Sequence, residues 1–163
     1  MGLPSFLAPV VESWAAFYGG HQAVSVAVRF LHLAGIVVGG GTALLTDRRT
    51  LRALRSGGGA RDVALAELAS AHRVVVPALA VVAATGILMA ASDTETFLNS
   101  RLYWSKMGLV ALLLLNGLGL QAAERAAATG KPRGWTALGL ASVASLVLWL
   151  AILLAGVSLT VAA

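Results

Sequence analysis

The chain has 163 residues, of which 58% are hydrophobic and 12% charged, and it contains no cysteine. A soluble domain needs a charged surface, and this chain has too few charged residues to form one. The composition therefore predicts a single membrane domain, and it excludes disulfides, thiolate metal sites and thiol catalysis. The net charge of +5 does not indicate nucleic acid, because the basic residues lie mainly between apolar segments, where they set membrane topology.

The first 22 residues predict a short helix that lies in the membrane interface. They contain no Lys or Arg, and Glu12 interrupts their apolar residues, which argues against a cleaved signal peptide. Three aromatic side chains are typical of the interface: Trp14, Phe17 and Tyr18. The alternative is an unstructured tail, which chain termini often form.

Four apolar stretches are long enough to cross a bilayer. A spanning helix needs about 20 mostly apolar residues, because its backbone polar groups must bond within the segment. The spans are predicted at residues 23–46, 74–92, 102–121 and 136–161. Helical extensions are expected on both sides of a glycine break at 57–59 in the connection 47–73. The predicted fold is thus an all-α membrane bundle of four transmembrane helices with an N-terminal interfacial helix.

Basic residues are distributed unequally over the connections. The first connection, 47–73, holds six of them and the third holds three, whereas the second holds two, Arg101 and Lys106. Loops that stay in the cytoplasm carry an excess of Lys and Arg. The first and third connections are therefore predicted to be cytoplasmic, and both termini are predicted to face outward.

The first span carries polar and small residues on one helical face. Three- and four-residue steps return to the same face, which here holds Ser25, Arg29, His32, Gly35, Gly39 and Thr42. Small residues permit close helix approach, so this face is expected to contact protein.

Arg29 and His32 are the ionisable residues of that face. An unpaired charge in the membrane costs several kcal/mol, so both are predicted to face the bundle interior or a partner chain. The acidic groups expected nearest to Arg29 are Asp93, Glu95 and Glu12. The alternative is that Arg29 extends to the interface while His32 only bonds a neighbouring helix.

Residues in the other spans could complete a site around His32. The candidate cofactor-binding residues are His32, Arg29, Lys106 and Asn116, and the candidate metal ligands are His32 and Met89. Each has a simpler interpretation, namely interface contact for Lys106, a helix–helix hydrogen bond for Asn116 and core packing for Met89.

The three histidines bear on haem binding. His32 lies 14 residues before the inner end of its span, which places it about 21 Å above that interface. His72 lies at the inner interface and His21 at the outer one. A bis-His haem within one chain is therefore disfavoured. The sequence requires no cofactor, although haem or copper at His32 stays open.

Residues 31–51, LHLAGIVVGGGTALLTDRRTL, follow the pattern His-Leu-x-Gly and then Asp-x-Arg-x-Leu. The pattern continues through Pro77, Gly86, Asp93, Lys106 and Asn116. Over residues 25–120 the chain resembles a family of small uncharacterised bacterial membrane proteins and, more distantly, the membrane domain of CopD copper-resistance proteins. This resemblance implies a four- or five-helix bundle in a bacterial inner membrane that handles copper or haem from the periplasmic side. The chain departs from it by lacking a second intramembrane histidine and a methionine cluster.

Three functions follow as hypotheses. The first is a non-enzymatic accessory or structural subunit of a larger respiratory or photosynthetic membrane complex, in contact with lipids and other membrane subunits. The second is a CopD-like protein that handles copper or haem through His32. The third is a membrane oxidoreductase that shares a cofactor with another chain.

The predicted topology can be tested with single cysteines, because the chain has none of its own. A membrane-impermeant thiol reagent added to intact cells should label Asn99→Cys but not Gly58→Cys, because only the second connection faces outward. Labelling of Gly58→Cys in intact cells would contradict the predicted orientation.

Overall fold

The computed structural model describes residues 6–162, except for the side chains at 132 and 160–162, and within them the chain is built from α-helices. The helices are α1 Ala8–Gly20, α2 Gln22–Ser56, α3 Gly59–Ser92, α4 Thr94–Asn99, α5 Arg101–Ala128 and α6 Pro132–Ala162. The predicted all-α fold is confirmed. Residues 1–5 of the predicted interfacial segment lie outside the described residues.

Helices α2, α3, α5 and α6 are each long and apolar enough to cross a membrane, as the sequence predicted. At 1.5 Å per residue, the 35 residues of α2 extend for about 52 Å, well beyond a hydrocarbon layer of about 30 Å. Its last turns therefore form the helical extension expected in the basic connection. Gly57 and Gly58 end this extension with φ angles of 69° and 52°, which residues with a side chain rarely adopt.

The second connection contains a short helix, α4, that the sequence analysis did not predict. Asp93 caps it, because its side chain accepts a hydrogen bond from the Thr96 backbone N–H at 3.1 Å. Ser100 caps α5 in the same way, accepting from the Tyr103 N–H at 3.3 Å. The two capping residues are seven positions apart, so α4 has room for only about one and a half turns between α3 and α5.

The four long helices form an open arrangement. Helix α3 packs along α2, α2 packs on α6, and α6 packs along α5, while α3 and α5 barely touch. We call the end of the bundle near Gly57 and Lys131 the basic end. The other end, which holds α1, α4 and the last turns of α6, is the terminal end.

Glycines in α2 allow its two neighbours to approach closely. A Cβ at Gly35 would lie 2.7 Å from Val82 Cγ2 of α3, and one at Gly39 would lie 2.9 Å from the Ala78 Cβ. On another face of α2, Gly40 lies against the ring of Trp149 of α6. These contacts place α2 at the centre of the bundle, as expected for small residues in membrane helices.

Two apolar clusters hold the hairpins together. Near the basic end, Leu68 of α3 packs with residues of α5 and α6, which are Leu120, Ala123, Ala127 and Leu138. Closer to the middle of the bundle, Leu113 of α5 packs with Trp149 and Ile152 of α6. Ala43 and Leu44 of α2 and Leu79 of α3 pack against this second cluster, so the middle of the bundle is the part where all four long helices share one core.

Helix α1 is attached to the terminal end of α3. The Trp14 indole N–H donates a hydrogen bond to the Leu88 carbonyl oxygen at 2.8 Å, and Tyr18 is buried. The predicted short helix is thus present and ordered against the bundle. Its position in the membrane interface stays a prediction.

Substitution of Gly35 tests the close packing of α2 on α3. We expect Gly35→Ala to lower the free energy of unfolding by about 1–3 kcal/mol, because the added Cβ overlaps Val82 and the Ala78 backbone. Gly41→Ala is the control, since nothing lies within 4 Å of its Cβ position. It should leave the stability unchanged or raise it by about 0.5–1 kcal/mol. Thermal unfolding in detergent measures both, and equal stability of the two variants would contradict the packing.

Candidate functional site

A cleft of about 410 Å³ lies between α3 and α5, where these two helices diverge. Its walls are residues of α3 and α5, and its floor is formed by residues of α2 and α6. The opening follows from the packing order of the helices. Because α2 and α6 join the two hairpins, the outer helices α3 and α5 are left apart.

The cleft is apolar over most of its length and polar near one end. Leu79 and Ala83 of α3, Leu113 of α5 and the floor residue Trp149 line its apolar part. Its polar lining gathers toward the basic end, as Thr46, Asp47, His72, Asn116, Gln121 and Ser145. From His72 to Ala83 the α3 wall rises about 16 Å, given the helical rise per residue. The cleft is thus an elongated, amphipathic groove.

A side-chain pair links the walls at the basic end. The His72 imidazole lies 3.5 Å from a carboxylate oxygen of Glu124, and both side chains are largely buried. Leu68 packs against Leu120 in the same region. The cleft is therefore closed toward the basic end and open toward the middle of the bundle.

The floor contains a buried carboxyl group. Asp47 of α2 is only 2% exposed, and it lies against the Ser145 and Ser142 hydroxyls of α6. One carboxylate oxygen of Asp47 and the Ser142 hydroxyl make no hydrogen bond of their own. Most buried polar groups in folded proteins have a hydrogen-bond partner, so these two atoms are exceptions.

Asn116 has a structural contact in this region. Its amide N–H donates a hydrogen bond at 3.0 Å to the Ala141 carbonyl oxygen of α6. This is the helix–helix bond named as its simpler interpretation, and Asn116 also lines the cleft. Its proposed role in cofactor binding stays a prediction.

His32 faces α3 near the terminal end of the bundle. Its Nδ1 lies 3.0 Å from the Thr85 hydroxyl oxygen, and its ring lies beside Gly86. The Thr85 hydroxyl donates its proton to the Val81 carbonyl at 2.6 Å. When the Thr85 hydroxyl donates to Val81, Nδ1 is the donor in the bond to Thr85, and in the neutral ring Nε2 is left as the acceptor or metal-binding atom.

Lys106 and Met89 lie in the same half of the bundle. Lys106 is partly buried beside Gly156 of α6. Met89 is partly buried on α3, one turn beyond Gly86. Among the described residues, no group of three or more His, Cys, Asp or Glu side chains is arranged as a metal site. A role of His32 and Met89 as metal ligands stays a prediction.

The sequence predicted that Arg29 faces either the bundle interior or a partner chain. The structure does not place it in the interior. It is exposed, and within residues 6–162 the ion pairs are Arg49–Glu67 and His72–Glu124, so none of Glu12, Asp93 and Glu95 pairs with it. The reason is the helical register. The buried face of α2 runs through Val28 and Gly35, which turns Arg29 to the flank. Contact with a partner chain stays a prediction.

The histidines lie at different depths, in agreement with the sequence analysis. His32 is level with Thr85, and Thr85 is 13 residues from His72 along α3, or about 20 Å. His21 ends α1, where its Nδ1 lies 2.9 Å from the Phe17 carbonyl oxygen.

A family model describes nearly the whole chain. It is that of a family of unknown function, DUF6644, and it matches residues 5–161. The chain belongs to the DUF6644 family. No curated protein and no solved structure matches the chain significantly. The predicted membership of an uncharacterised family is confirmed, whereas nothing supports the more distant resemblance to CopD.

Of the polar residues that line the cleft of this DUF6644 member, Asn116 was predicted from the sequence as a site residue and the others were not. Asp47 was identified only within a pattern, and His72 only as a histidine at the interface, while Glu124 and Gln121 were not identified. One signal was available for Asp47. Thr46 and Thr50 continue the small and polar face of α2 past the end of the predicted span, and Asp47 lies between them.

Proposed function

We propose that this DUF6644 protein is a non-enzymatic membrane protein that holds a single-chain amphiphile in the cleft between α3 and α5. The apolar chain lies along Leu79, Ala83 and Leu113, and the polar head lies near His72 and Gln121. One observation carries the proposal. The cleft opens to the side, most of its lining is apolar, and its polar lining residues lie near one end.

The size of the cleft favours a small molecule over a partner helix. Its volume of about 410 Å³ is within the range of roughly 300–1,000 Å³ that small-molecule sites occupy. A helix with a diameter of about 10 Å would fill roughly 1,200 Å³ over the same 16 Å of length. An extended apolar chain needs far less width, so it can lie between α3 and α5 without separating them.

The polar lining favours a head group that is neutral or cationic and donates hydrogen bonds. Glu124 and the floor residue Asp47 are the acidic groups near this part of the cleft, and both would repel an anionic head. With the basic end in the cytoplasm, as the sequence predicts, the head would lie near the inner interface. That is the orientation an amphiphile already has in the inner leaflet of a bilayer.

The polar residues of the cleft hold its shape instead of activating a substrate. His72 is held against Glu124 across the two walls, and the Asn116 amide is bonded to Ala141. These contacts fix the positions of the side chains that would meet the head group of a ligand.

Narrowing the cleft from α5 tests this function. Gly117 lines the cleft and nothing lies within 4 Å of its Cβ position, so Gly117→Leu should fold normally and occupy the ligand's space. Gly119→Leu is the control, because that position is equally open and does not line the cleft. The proteins are extracted in polymer-bounded lipid discs and transferred to detergent, and the retained amphiphiles are quantified by mass spectrometry.

We expect one retained amphiphile species in the wild type and in Gly119→Leu, and at least a tenfold loss in Gly117→Leu. A tenfold loss corresponds to about 1.4 kcal/mol of binding free energy. Equal retention by all three proteins, or no retention by the wild type, would contradict the proposed function.

A second candidate function is that of an accessory subunit in a larger respiratory or photosynthetic membrane complex, and Arg29 favours it. The charged side chain is exposed on an α2 surface that also exposes Val26, Phe30 and Leu33. None of the carboxylates within residues 6–162 pairs with it. A carboxylate of a neighbouring membrane subunit would offset the several kcal/mol that an unpaired charge costs in lipid.

Copurification with an Arg29→Leu variant tests the second candidate. The variant should insert and fold, because Arg29 makes no ion pair within the described chain, but it should lose a companion protein that the wild type retains in mild detergent. Arg101→Leu, at the exposed start of α5, is the control and should keep that companion. A wild-type protein that elutes alone, or a companion kept by Arg29→Leu, would speak against this role.

A further inference from the structure

Oxygen atoms gather between α2 and α6 beneath the floor of the cleft. Asp47, Thr50, Ser142 and Ser145 are 2%, 1%, 0% and 6% exposed, respectively. Three of their oxygens have no partner at good hydrogen-bond geometry, namely Asp47 Oδ2, Thr50 Oγ1 and Ser142 Oγ, although the Ser142 and Ser145 hydroxyls lie near the Asp47 carboxylate. Leaving a buried polar group without a partner costs about 1–3 kcal/mol, and more if it is charged. Three such groups are costly unless each has a partner.

The packing register brings these residues to one level. Gly40 of α2 is level with Trp149 of α6, and Leu54 of α2 contacts the Gly139 position. The two helices run in opposite directions, so Thr50 falls level with Ser142 between these contacts. Asp47, one turn away from Thr50 on α2, lies against the Ser142 and Ser145 hydroxyls.

The charge at this level is a single carboxylate without a basic partner. Two ion pairs form among the described residues, and they join Arg49 to Glu67 and His72 to Glu124. No Lys, Arg or His nitrogen of these residues therefore lies within 4.0 Å of the Asp47 carboxylate. A buried carboxylate that is neither paired nor metal-bound is strongly disfavoured. Protonation of Asp47 or a cation beside it would remove this penalty.

We propose that Asp47, Thr50, Ser142 and Ser145 bind an alkali-metal cation between α2 and α6. Carboxylate and hydroxyl oxygens are hard donors, which excludes the metals that prefer thiolate or imidazole. One negative charge balances one monovalent ion, whereas Ca²⁺ takes six to eight oxygens, usually from several carboxylates. Asp47 and Ser145 also line the cleft, so the cation site would lie directly beneath it. The site does not require the proposed amphiphile.

Thermal unfolding of the purified full-length protein in detergent tests the cation site. Unfolding is compared in NaCl, KCl and N-methyl-D-glucamine chloride at equal ionic strength. We expect NaCl or KCl at ten times its dissociation constant to raise the Tm by about 3–6 °C over N-methyl-D-glucamine. Asp47→Asn should abolish this rise, because it removes the charge. Asp62→Asn, at the exposed start of α3, should keep it.

A second variant keeps the test valid if Asp47→Asn does not fold. Ser142→Ala retains the carboxylate and removes one oxygen, so the salt concentration that gives half of the rise should increase at least severalfold. Equilibrium binding of ²²Na⁺, competed by unlabelled NaCl and KCl, should give one site per wild-type chain. Equal unfolding temperatures in all three salts would overturn the proposal and leave Asp47 protonated or hydrated. A rise that persists in Asp47→Asn, or an unchanged midpoint in Ser142→Ala, would also overturn it.

Discussion

The close approach of α2 to two neighbours is the constraint on which the rest of the structure depends. Gly35 and Gly39 let α3 approach one face of α2, and Gly40 accommodates the Trp149 ring of α6 on another. Lipid gives no hydrophobic driving force between apolar helices, so such contacts and interhelical polar bonds must supply the association. A larger side chain at Gly35 or Gly39 would push α3 away from α2, and one at Gly40 would separate the two hairpins.

The central position of α2 also creates the cleft. Because α2 contacts both α3 and α6, the link between the hairpins runs through the two inner helices, and α3 and α5 meet closely only near the basic end. The His72–Glu124 pair and the Leu68 contacts close that end, while the apolar remainder opens to the side. Binding space and helix packing are therefore two results of the same arrangement.

Two charged residues of α2 illustrate different responses to a low-dielectric surrounding. Arg29 is turned outward, where its long side chain can reach polar groups outside the bundle. Asp47 has a short side chain and is held inside by the packing of α6, so it cannot reach polar groups outside the bundle. Any group that stabilises its carboxyl must lie in the interior. The hydroxyls of Ser142 and Ser145 are the interior groups that this chain supplies.

The sequence by itself determined the class and the length of the elements. Four apolar stretches, the glycine break at 57–59 and the aromatic N-terminal segment predicted four long helices and α1, because these features depend on local composition and backbone freedom. The depths of His32 and His72 followed from the helical rise alone. Only the tertiary structure decided which helices touch, because an apolar helix face packs equally well on lipid or on protein. Val28 and Arg29 are adjacent in the sequence, and the packing register of α2 places Val28 inside the bundle and Arg29 outside. The same register brought Asp47 and Ser142 together across 95 residues of sequence, a contact that no local pattern encodes.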